Sequence, residues 1–410
     1  MLKGNLIVGQ SGGPTAAINA SLAGVFQAAK EAGIEKIYGM CNGIEGLLQE
    51  SYVDLGSCLK TDRDIELLKR TPASFLGSCR FKLPDRNKDE ALYQKLFAIL
   101  QKLNIKYFIY IGGNDSMDTI MQLSAWAKAT DCDIRFMGVP KTIDNDLVLT
   151  DHTPGYGSAA KFVASTLKEI ICDSNVYGME SVTIIEIMGR NAGWLTAASA
   201  LAKGEDCRGV DLIYLPERTF DTAEFIHRVD NLRKTQKTIV VAVSEGIKNK
   251  NGDYVFEEDA SICDEVDAFG HKKLDGVATY LAGKVKQALG IRSRGITLST
   301  TQRCASHLAS LQDICEAEQA GFEAVRAATA GKTGEMVVFR RESDAPYRLV
   351  TETCDVNQIA NMVKEVPQDW ISPDGTGLTE AFFTYCRPLI QGELPPIMAD
   401  GLPQHLTLKK

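Results

Sequence analysis

Short apolar stretches alternate with helical patterns along the chain, and a polar or glycine-rich turn follows each stretch. Five such stretches stand out, at residues 6–9, 107–111, 136–139, 182–187 and 238–243. The turns that follow them are residues 10–15, 112–116, 140–146, 188–193 and 244–246. Continuous apolar strands that alternate with helices are typical of parallel sheets covered by helices on both faces. The pattern therefore predicts an α/β fold of two Rossmann-like lobes with mostly parallel sheets.

The length of 410 residues fits two lobes better than one compact core. We expect a first lobe at residues 1–150, a second lobe at 151–310, and a C-terminal region at 311–410 that returns to brace the first lobe. These boundaries follow from the order of the predicted strands, because no linker composition marks them.

Composition argues against several classes of protein. The eleven cysteines are scattered without a CxxC pair, so we expect reduced thiols and neither a disulfide framework nor a zinc site. A net charge of −8 without a basic stripe argues against nucleic-acid binding, and it requires a local cluster of Arg and Lys for any anionic substrate.

No apolar run reaches the roughly 20 residues of a membrane helix, and no signal peptide is recognisable. We expect a cytoplasmic protein.

In parallel sheets, ligands bind beyond the carboxyl ends of the strands, where all five turns lie. The glycines of residues 10–15 let main-chain N–H groups approach a phosphate, although a plain tight turn would show the same pattern. No Walker A sequence is present, which disfavours a P-loop enzyme. Residues 155–160 fit a GxGxxA pattern, but no predicted strand precedes them, and we interpret them as a loop unconnected with dinucleotide binding.

Oxygen-bearing side chains follow the second of these strands, at Asn114 and Asp115. Mg²⁺ takes few protein ligands of this kind and keeps its waters and the substrate phosphates. The same residue types are favoured as helix N-caps. Both roles can hold at once.

The turn at residues 140–146 brings Lys141, Asp144 and Asp146 together after a buried strand. A carboxylate there can accept the proton of an attacking hydroxyl, and an ammonium can neutralise charge on a transferring phosphoryl group. The alternative is that the two aspartates are turn or cap residues. Arginines, whose planar fork suits bidentate phosphate binding, follow at Arg190, Arg292, Arg294 and Arg303.

The motifs in these turns resemble those of the 6-phosphofructokinases. They are GGPTAAINA at 12–20, GGND at 112–115, PKTIDND at 140–146, MGRNAGW at 188–194 and DAFGHKKLDG at 267–276. They occur in the family's order over essentially the whole chain, and they are more similar to the pyrophosphate-dependent branch than to the ATP-dependent one. The resemblance implies the phosphofructokinase fold and phosphoryl transfer from pyrophosphate to the 1-hydroxyl of fructose 6-phosphate, a glycolytic reaction, with Mg²⁺ as cofactor.

By position in these motifs, the resemblance implies that Asp144 accepts the proton and that Asp146 supports the base and the metal. Gly13 and Arg80 would face the donor phosphates. Arg294 and Arg303 would bind the 6-phosphate, with Arg294 donated across a subunit interface, so the resemblance also implies a homodimer or homotetramer. The other residues that would contact the sugar phosphate are Thr142, Ile143, Met188, Gly189, Arg190, Glu245 and Thr300.

Two substitutions relative to the ATP-dependent members bear on the donor. Asp115 replaces the last glycine of Gly-Gly-Asp-Gly, and Lys141 replaces the glycine of Pro-Gly-Thr-Ile-Asp. Asp115 would place a carboxylate where the α-phosphate of ATP must lie, and like charges at contact distance are disfavoured. Lys141 would supply a cation beside the smaller pyrophosphate. The alternatives are an ATP-dependent enzyme and a catalytically silent regulatory paralogue that binds sugar phosphate.

Three positions depart from the family's pattern. Asn114 stands where the family often has a metal-binding Asp, so Asp115 would share that task. Ser181 stands where an ATP-dependent member carries an Arg that contacts the sugar phosphate across the interface, and Thr300 replaces the usual His or Tyr. The last two departures affect the 6-phosphate site and leave the base unchanged.

Overall fold

The computed structural model describes residues 2–258, 276–360 and 362–408. Its strands are β1 (Asn5–Gln10), β2 (Ile37–Met40), β3 (Tyr52–Asp54), β4 (Ile105–Gly112), β5 (Arg135–Pro140), β6 (Ser181–Ile187), β7 (Leu212–Tyr214), β8 (Thr238–Ser244), β9 (Arg292–Thr297), β10 (Glu335–Asp344), β11 (Tyr347–Asp355), β12 (Met398–Ala399) and β13 (Leu402–Pro403). Its helices are α1 (Ile18–Glu31), α2 (Gly43–Leu48), α3 (Leu55–Cys58), α4 (Asp62–Arg70), α5 (Glu90–Lys102), α6 (Asn114–Ala129), α7 (Tyr156–Ser174), α8 (Trp194–Ala198), α9 (Thr222–Leu232), α10 (Val277–Leu289), α11 (Thr301–Cys304), α12 (Leu311–Thr329) and α13 (Glu380–Cys386).

The five predicted strands lie in two sheets. The first sheet has the order β11-β10-β5-β4-β1-β2-β3, and the second has the order β7-β8-β6-β9. All neighbours in the second sheet are parallel. In the first sheet the outer pairs β10–β11 and β2–β3 are antiparallel and the inner pairs are parallel. The predicted α/β fold class with mostly parallel sheets is therefore confirmed.

Helices cover both faces of the first sheet, which explains why its strands read as continuous apolar runs. Val8 and Ile109 pack with the buried side chains of α1 and α12 on one face. Ile7 and Phe108 pack with those of α5 and α6 on the other. Because helices occupy both faces, the carboxyl ends of β1, β4 and β5 are left as the place for a site.

The C-terminal region contributes to both lobes. β10 and β11 extend the first sheet, and Leu406 and Leu408 pack against its core. Between these segments, Phe382 and Tyr385 belong instead to the core of the second lobe. The domain boundaries at residues 150 and 310 stay predictions.

The interpretation of residues 155–160 as a loop was wrong, because they begin the long helix α7. Gly155 precedes the helix with φ 106°, a conformation that glycine adopts without strain. The N–H groups of Gly155 and Ser158 donate to the carboxylate of Asp313 in α12, at 2.8 and 2.9 Å. The group that caps α7 therefore comes from a distant part of the chain and leaves no local sequence pattern.

The cysteines within the described residues are free thiols, as the scattered spacing predicts. In the same ranges, no helix has both the length and the apolar character needed to span a membrane.

Close contact between α1 and α12 generates a prediction about stability. A methyl group at Gly24 would lie 1.9 Å from the main-chain oxygen of Glu318, so the two helices would have to separate. We expect Gly24→Ala to lower the free energy of unfolding by about 2–3 kcal/mol, measured by thermal or urea unfolding. Gly283, in α10, has nothing within 4 Å of the same position, and Gly283→Ala is the control, with an expected gain of up to about 1 kcal/mol. Equal effects of the two substitutions would contradict the close helix contact.

Candidate active site

Lys141 joins the ends of three neighbouring strands. It follows β5 directly, and its main-chain N–H donates to the carbonyl of Gly112 at the end of β4, at 3.0 Å. Its Nζ donates to the carbonyl of Gly13, after β1, at 2.7 Å. Only 2% of the residue's surface is exposed. Burial lowers the pKa of Lys141 to about 8, while the nearby carboxylates of Asp144 and Asp146 act to raise it. The ammonium is therefore still mostly charged near neutral pH.

Residues 140–146, which we call the carboxylate loop, carry Asp144 and Asp146. Both aspartates are partly buried. Thr142 Oγ1 donates to Asp144 Oδ2 at 3.4 Å and accepts the main-chain N–H of Asp144 at 3.1 Å. Burial raises the pKa of Asp144, and the charges of Lys141 and Arg190 oppose that rise. Burial and the charge of Asp144 raise the pKa of Asp146 to about 7. Both carboxylates can accept a proton near neutral pH more readily than an exposed aspartate.

Asn145 fixes the backbone between the two carboxylates. Its φ of 56° is in the left-handed region, which Asn tolerates better than most residues. Its Nδ2 donates to the hydroxyl of Tyr385 at 2.8 Å, and its Oδ1 accepts the N–H of Thr153 at 3.1 Å. These bonds hold the loop from the side of the C-terminal region.

The glycine turn, residues 10–13, lies against Arg303. Gly12 has φ 75°, its N–H donates to the carbonyl of Cys79, and its own carbonyl accepts from Ser78 Oγ at 2.6 Å. A methyl group at Gly13 would lie 3.5 Å from the guanidinium of Arg303. Arg303 and Arg80 both lower the pKa of Lys141 by charge repulsion. Cations thus gather beside the glycine turn, as an anionic ligand requires.

Residues 188–193, which we call the Met-Gly-Arg turn, belong to the second lobe and lie beside the carboxylate loop. The N–H of Met188 donates to Gln302 Oε1 at 3.2 Å, and the N–H of Gly189 donates to Glu245 Oε1 at 3.3 Å. Burial, followed by the charge of Asp144, raises the pKa of Glu245 to about 8. The effects of Asp144 on Glu245, and of Arg190 on Asp144, indicate that the turn and the carboxylate loop are neighbours.

Comparison with known proteins agrees with this geometry. The family model described as Phosphofructokinase matches residues 5–328. The chain belongs to the phosphofructokinase family. The pyrophosphate–fructose 6-phosphate 1-phosphotransferase of Xanthomonas campestris pv. campestris (strain B100) is 41% identical over 412 residues, which cover 100% of this chain and 97% of that protein. The protein of the same name from Halomonas elongata is 39% identical, with coverage of 100% and 97%.

Solved structures support the same family. The pyrophosphate-dependent phosphofructokinase from Nitrosospira multiformis superposes with a TM-score of 0.89 at 36% identity, covering 100% of this chain and 97% of that one. The resemblance in the motifs and the phosphofructokinase fold are both confirmed.

Some of the predicted residues of this phosphofructokinase lie apart from the cluster. Arg294 is in β9, where it donates to Thr183 Oγ1 at 3.1 Å and forms an ion pair with Asp173 at 3.1 Å. Ser181 begins β6 and pairs with Arg292, at the strand end opposite the Met-Gly-Arg turn. Thr300 is exposed, and its carbonyl accepts the N–H of Arg303. Among the described residues, none of these three forms a hydrogen bond or an ion pair with the carboxylate loop.

The predicted metal ligands occupy the start of α6. Asp115 is exposed in the first turn of the helix. Asn114 Nδ2 donates to the carbonyl of Met362 at 2.6 Å. Among the described residues, no group of three or more His, Cys, Asp or Glu side chains is arranged to hold a metal ion. Most of the DAFGHKKLDG motif, residues 267–275, lies outside the described residues.

Sequence reasoning missed Lys364. The ammonium of Lys364 donates to the carbonyls of Thr150 and Asp151, at 3.1 and 2.5 Å, and its main-chain N–H donates to the carbonyl of Asp146 at 2.8 Å. Burial lowers the pKa of Lys364 to about 8. The neighbouring residues Val363 and Glu365 form no recognisable motif. The local sequence therefore gives no indication of the role of Lys364.

Proposed function

We propose that this phosphofructokinase transfers a phosphoryl group from pyrophosphate to the 1-hydroxyl of fructose 6-phosphate, giving fructose 1,6-bisphosphate and phosphate. The observation that carries the proposal is the position of Lys141, whose ammonium bonds to the glycine turn while its charge acts on Asp144 and Asp146. A cation there lies between a phosphate-binding turn and a candidate base. The names of the full-length relatives support the same reaction.

Asp144 is the proposed general base. Its carboxylate takes the proton of the 1-hydroxyl as the new O–P bond forms and the P–O bond to the leaving phosphate breaks. The burial that raises its pKa improves it as a proton acceptor near neutral pH. Asp146, two residues further along the chain, supports the base. Arg190 offsets the combined negative charge of the two aspartates.

The donor would lie on the glycine turn, beside Gly13 and Arg80. Lys141 neutralises the phosphates where a nucleotide would supply other contacts. Asp115, exposed at the start of α6, would face the additional phosphate of ATP and repel it. The two residues together favour the smaller donor.

Mg²⁺ is the proposed cofactor, and the residues present fit it. Oxygen ligands suit this ion, which binds through one or two carboxylates together with substrate phosphates. Burial and the charge of Asp144 raise the pKa of Asp146 to about 7, so a cation beside this carboxylate would stabilise its charged form. Asp146, Asp115 and the amide oxygen of Asn114 would hold the ion, which neutralises the donor phosphates when bound.

The acceptor sugar would bind along the Met-Gly-Arg turn. Thr142, Ile143, Met188 and Gly189 would line it, and Glu245 would bond its hydroxyls. Arg303 would bind the 6-phosphate from the same chain. Since Arg294 lies away from the cluster in its own chain, we propose that it serves the site of a second copy in a homodimer or homotetramer, where Thr300 also borders the 6-phosphate. Ser181, beside Arg292, would lie at that interface.

The first test compares the two donors. With Mg²⁺ and fructose 6-phosphate, we expect kcat/KM for pyrophosphate to exceed that for ATP by about 10²-fold or more, since like charges in contact cost several kcal/mol. A coupled assay of fructose 1,6-bisphosphate measures both. Equal or better rates with ATP would contradict the proposed donor, and binding of fructose 6-phosphate without turnover would favour a silent paralogue.

The second test removes the base. We expect Asp144→Ser to lower kcat with pyrophosphate by ~10²–10⁴-fold with little change in binding of fructose 6-phosphate. Asp133→Ser, at an exposed aspartate paired with Arg135, is the control and should keep the wild-type rate. A near-normal kcat for Asp144→Ser would exclude this residue as the base.

A further inference from the structure

Residues 362–366, which we call the strap, connect turns of both lobes. At its start, the carbonyl of Met362 accepts from Asn114 Nδ2 at 2.6 Å. At its end, the N–H of Val366 donates to Glu217 Oε1 at 2.9 Å, and the same oxygen accepts the N–H of Gly193 at 2.8 Å. The strap is therefore bonded to the start of α6 in the first lobe and, through Glu217, to the Met-Gly-Arg turn in the second.

Lys364 is the centre of the strap and bonds to both lobes directly. Its main-chain N–H donates to the carbonyl of Asp146 at 2.8 Å, and its carbonyl accepts from Trp194 Nε1 at 2.8 Å. Its ammonium donates to the carbonyls of Thr150 and Asp151. Both ends of the segment 146–151 are thus held by one residue.

The ammonium of Lys364 is also held by aromatic rings. It lies 5.0 Å from the ring centroid of Trp194 and 5.9 Å from that of Tyr385, distances at which a cation is attracted to a ring face. Tyr385 in turn accepts from Asn145 and donates to the carbonyl of Asp151. The side chain and the main chain of Lys364 therefore restrain the same loop.

We propose that Lys364 is a positioning residue for phosphoryl transfer. Its ammonium, bonded to the carbonyls of Thr150 and Asp151, and its main chain, bonded to Asp146 and Trp194, together hold the carboxylate loop against the Met-Gly-Arg turn. The inference rests on the proposed function. Lys364 touches no reacting atom, but it fixes the backbone on which the base Asp144 is carried. A displacement of about 1 Å at such a point can cost about 10²-fold in rate.

The strap also accounts for Asn114. An aspartate at this position would set a carboxylate oxygen against the carbonyl of Met362, where the amide nitrogen now donates at 2.6 Å. Two acceptors at that distance repel each other. The amide is therefore the side chain that attaches the strap to α6, and the substitution relative to the family has a structural purpose.

The test is Lys364→Met, which keeps the side chain as far as its last carbon, removes the ammonium and its bonds to Thr150 and Asp151, and leaves the main-chain bonds of the strap in place. We expect kcat with pyrophosphate to fall by about 10–10²-fold, with KM for fructose 6-phosphate changed by less than about threefold. Lys161→Met is the matched control, because Lys161 is buried and its ammonium also bonds to a carbonyl, that of Gly392, and to Glu393. The control should lower the melting temperature without a selective loss of kcat.

A second pair of variants tests the strap as a unit. Asn114→Asp should also lower kcat, and combining it with Lys364→Met should cost no more than Lys364→Met alone, since both act through one segment. Losses that multiply would overturn the proposal. So would an Asn114→Asp variant that keeps kcat, because the strap would then not depend on the bond from the amide nitrogen to Met362.

If Lys364→Met does not fold, Trp194→Phe tests the positioning role of the strap. It keeps an aromatic ring and removes the donor to the carbonyl of Lys364, so kcat should fall with KM retained. An unchanged kcat would overturn the proposal. An inactive wild-type chain would overturn the proposed function, and the inference with it, whereas an active wild type with an unaffected Lys364→Met variant would overturn the inference alone.

Discussion

The ammonium of Lys141 lies almost out of reach of water, 2.7 Å from the carbonyl of Gly13. A buried charge without partners costs several kcal/mol, so this position is tolerable only because a carbonyl and two carboxylates compensate for the lost water. The same residue bonds through its main chain to Gly112. The ends of β1, β4 and β5 are thereby joined at one residue, and the candidate donor and acceptor sides of the site meet there.

Charge balance around this cation shapes the rest of the site. Burial raises the pKa values of Asp144, Asp146 and Glu245, and the charge of Asp144 adds to the rise for the other two, as expected where buried carboxylates have a deficit of positive charge around them. Lys141 on one side and Lys364 on the other supply part of the positive charge, and burial lowers the pKa of each to about 8. An anionic donor adds to the deficit, which is the physical reason for expecting Mg²⁺ with the substrate.

The strands and their turns could be predicted from the sequence, because a strand buried on both faces must be apolar throughout and its polar turn stands out beside it. The clustering of Lys141, Asp144 and Asp146 followed from the same pattern. The start of α7 could not be predicted, because its capping group, Asp313, lies far away in the chain. The place of Lys364 could not be predicted either, because its partner Asp146 is also distant in sequence. Asn114 was interpreted through the family's metal site, and only its bond to Met362 reveals a second purpose.

The central claim is that Asp115 and Lys141 together select the donor. The most direct measurement is the ratio of kcat/KM for pyrophosphate to that for ATP in the double variant Asp115→Gly/Lys141→Gly. Asp131→Gly, at an exposed residue with φ 51°, is the control. We predict that the ratio falls by about 10-fold or more in the double variant, because a repulsion worth more than about 1.4 kcal/mol is removed along with the cation that serves pyrophosphate. A ratio equal to that of the wild type would show that donor choice is determined elsewhere in the chain.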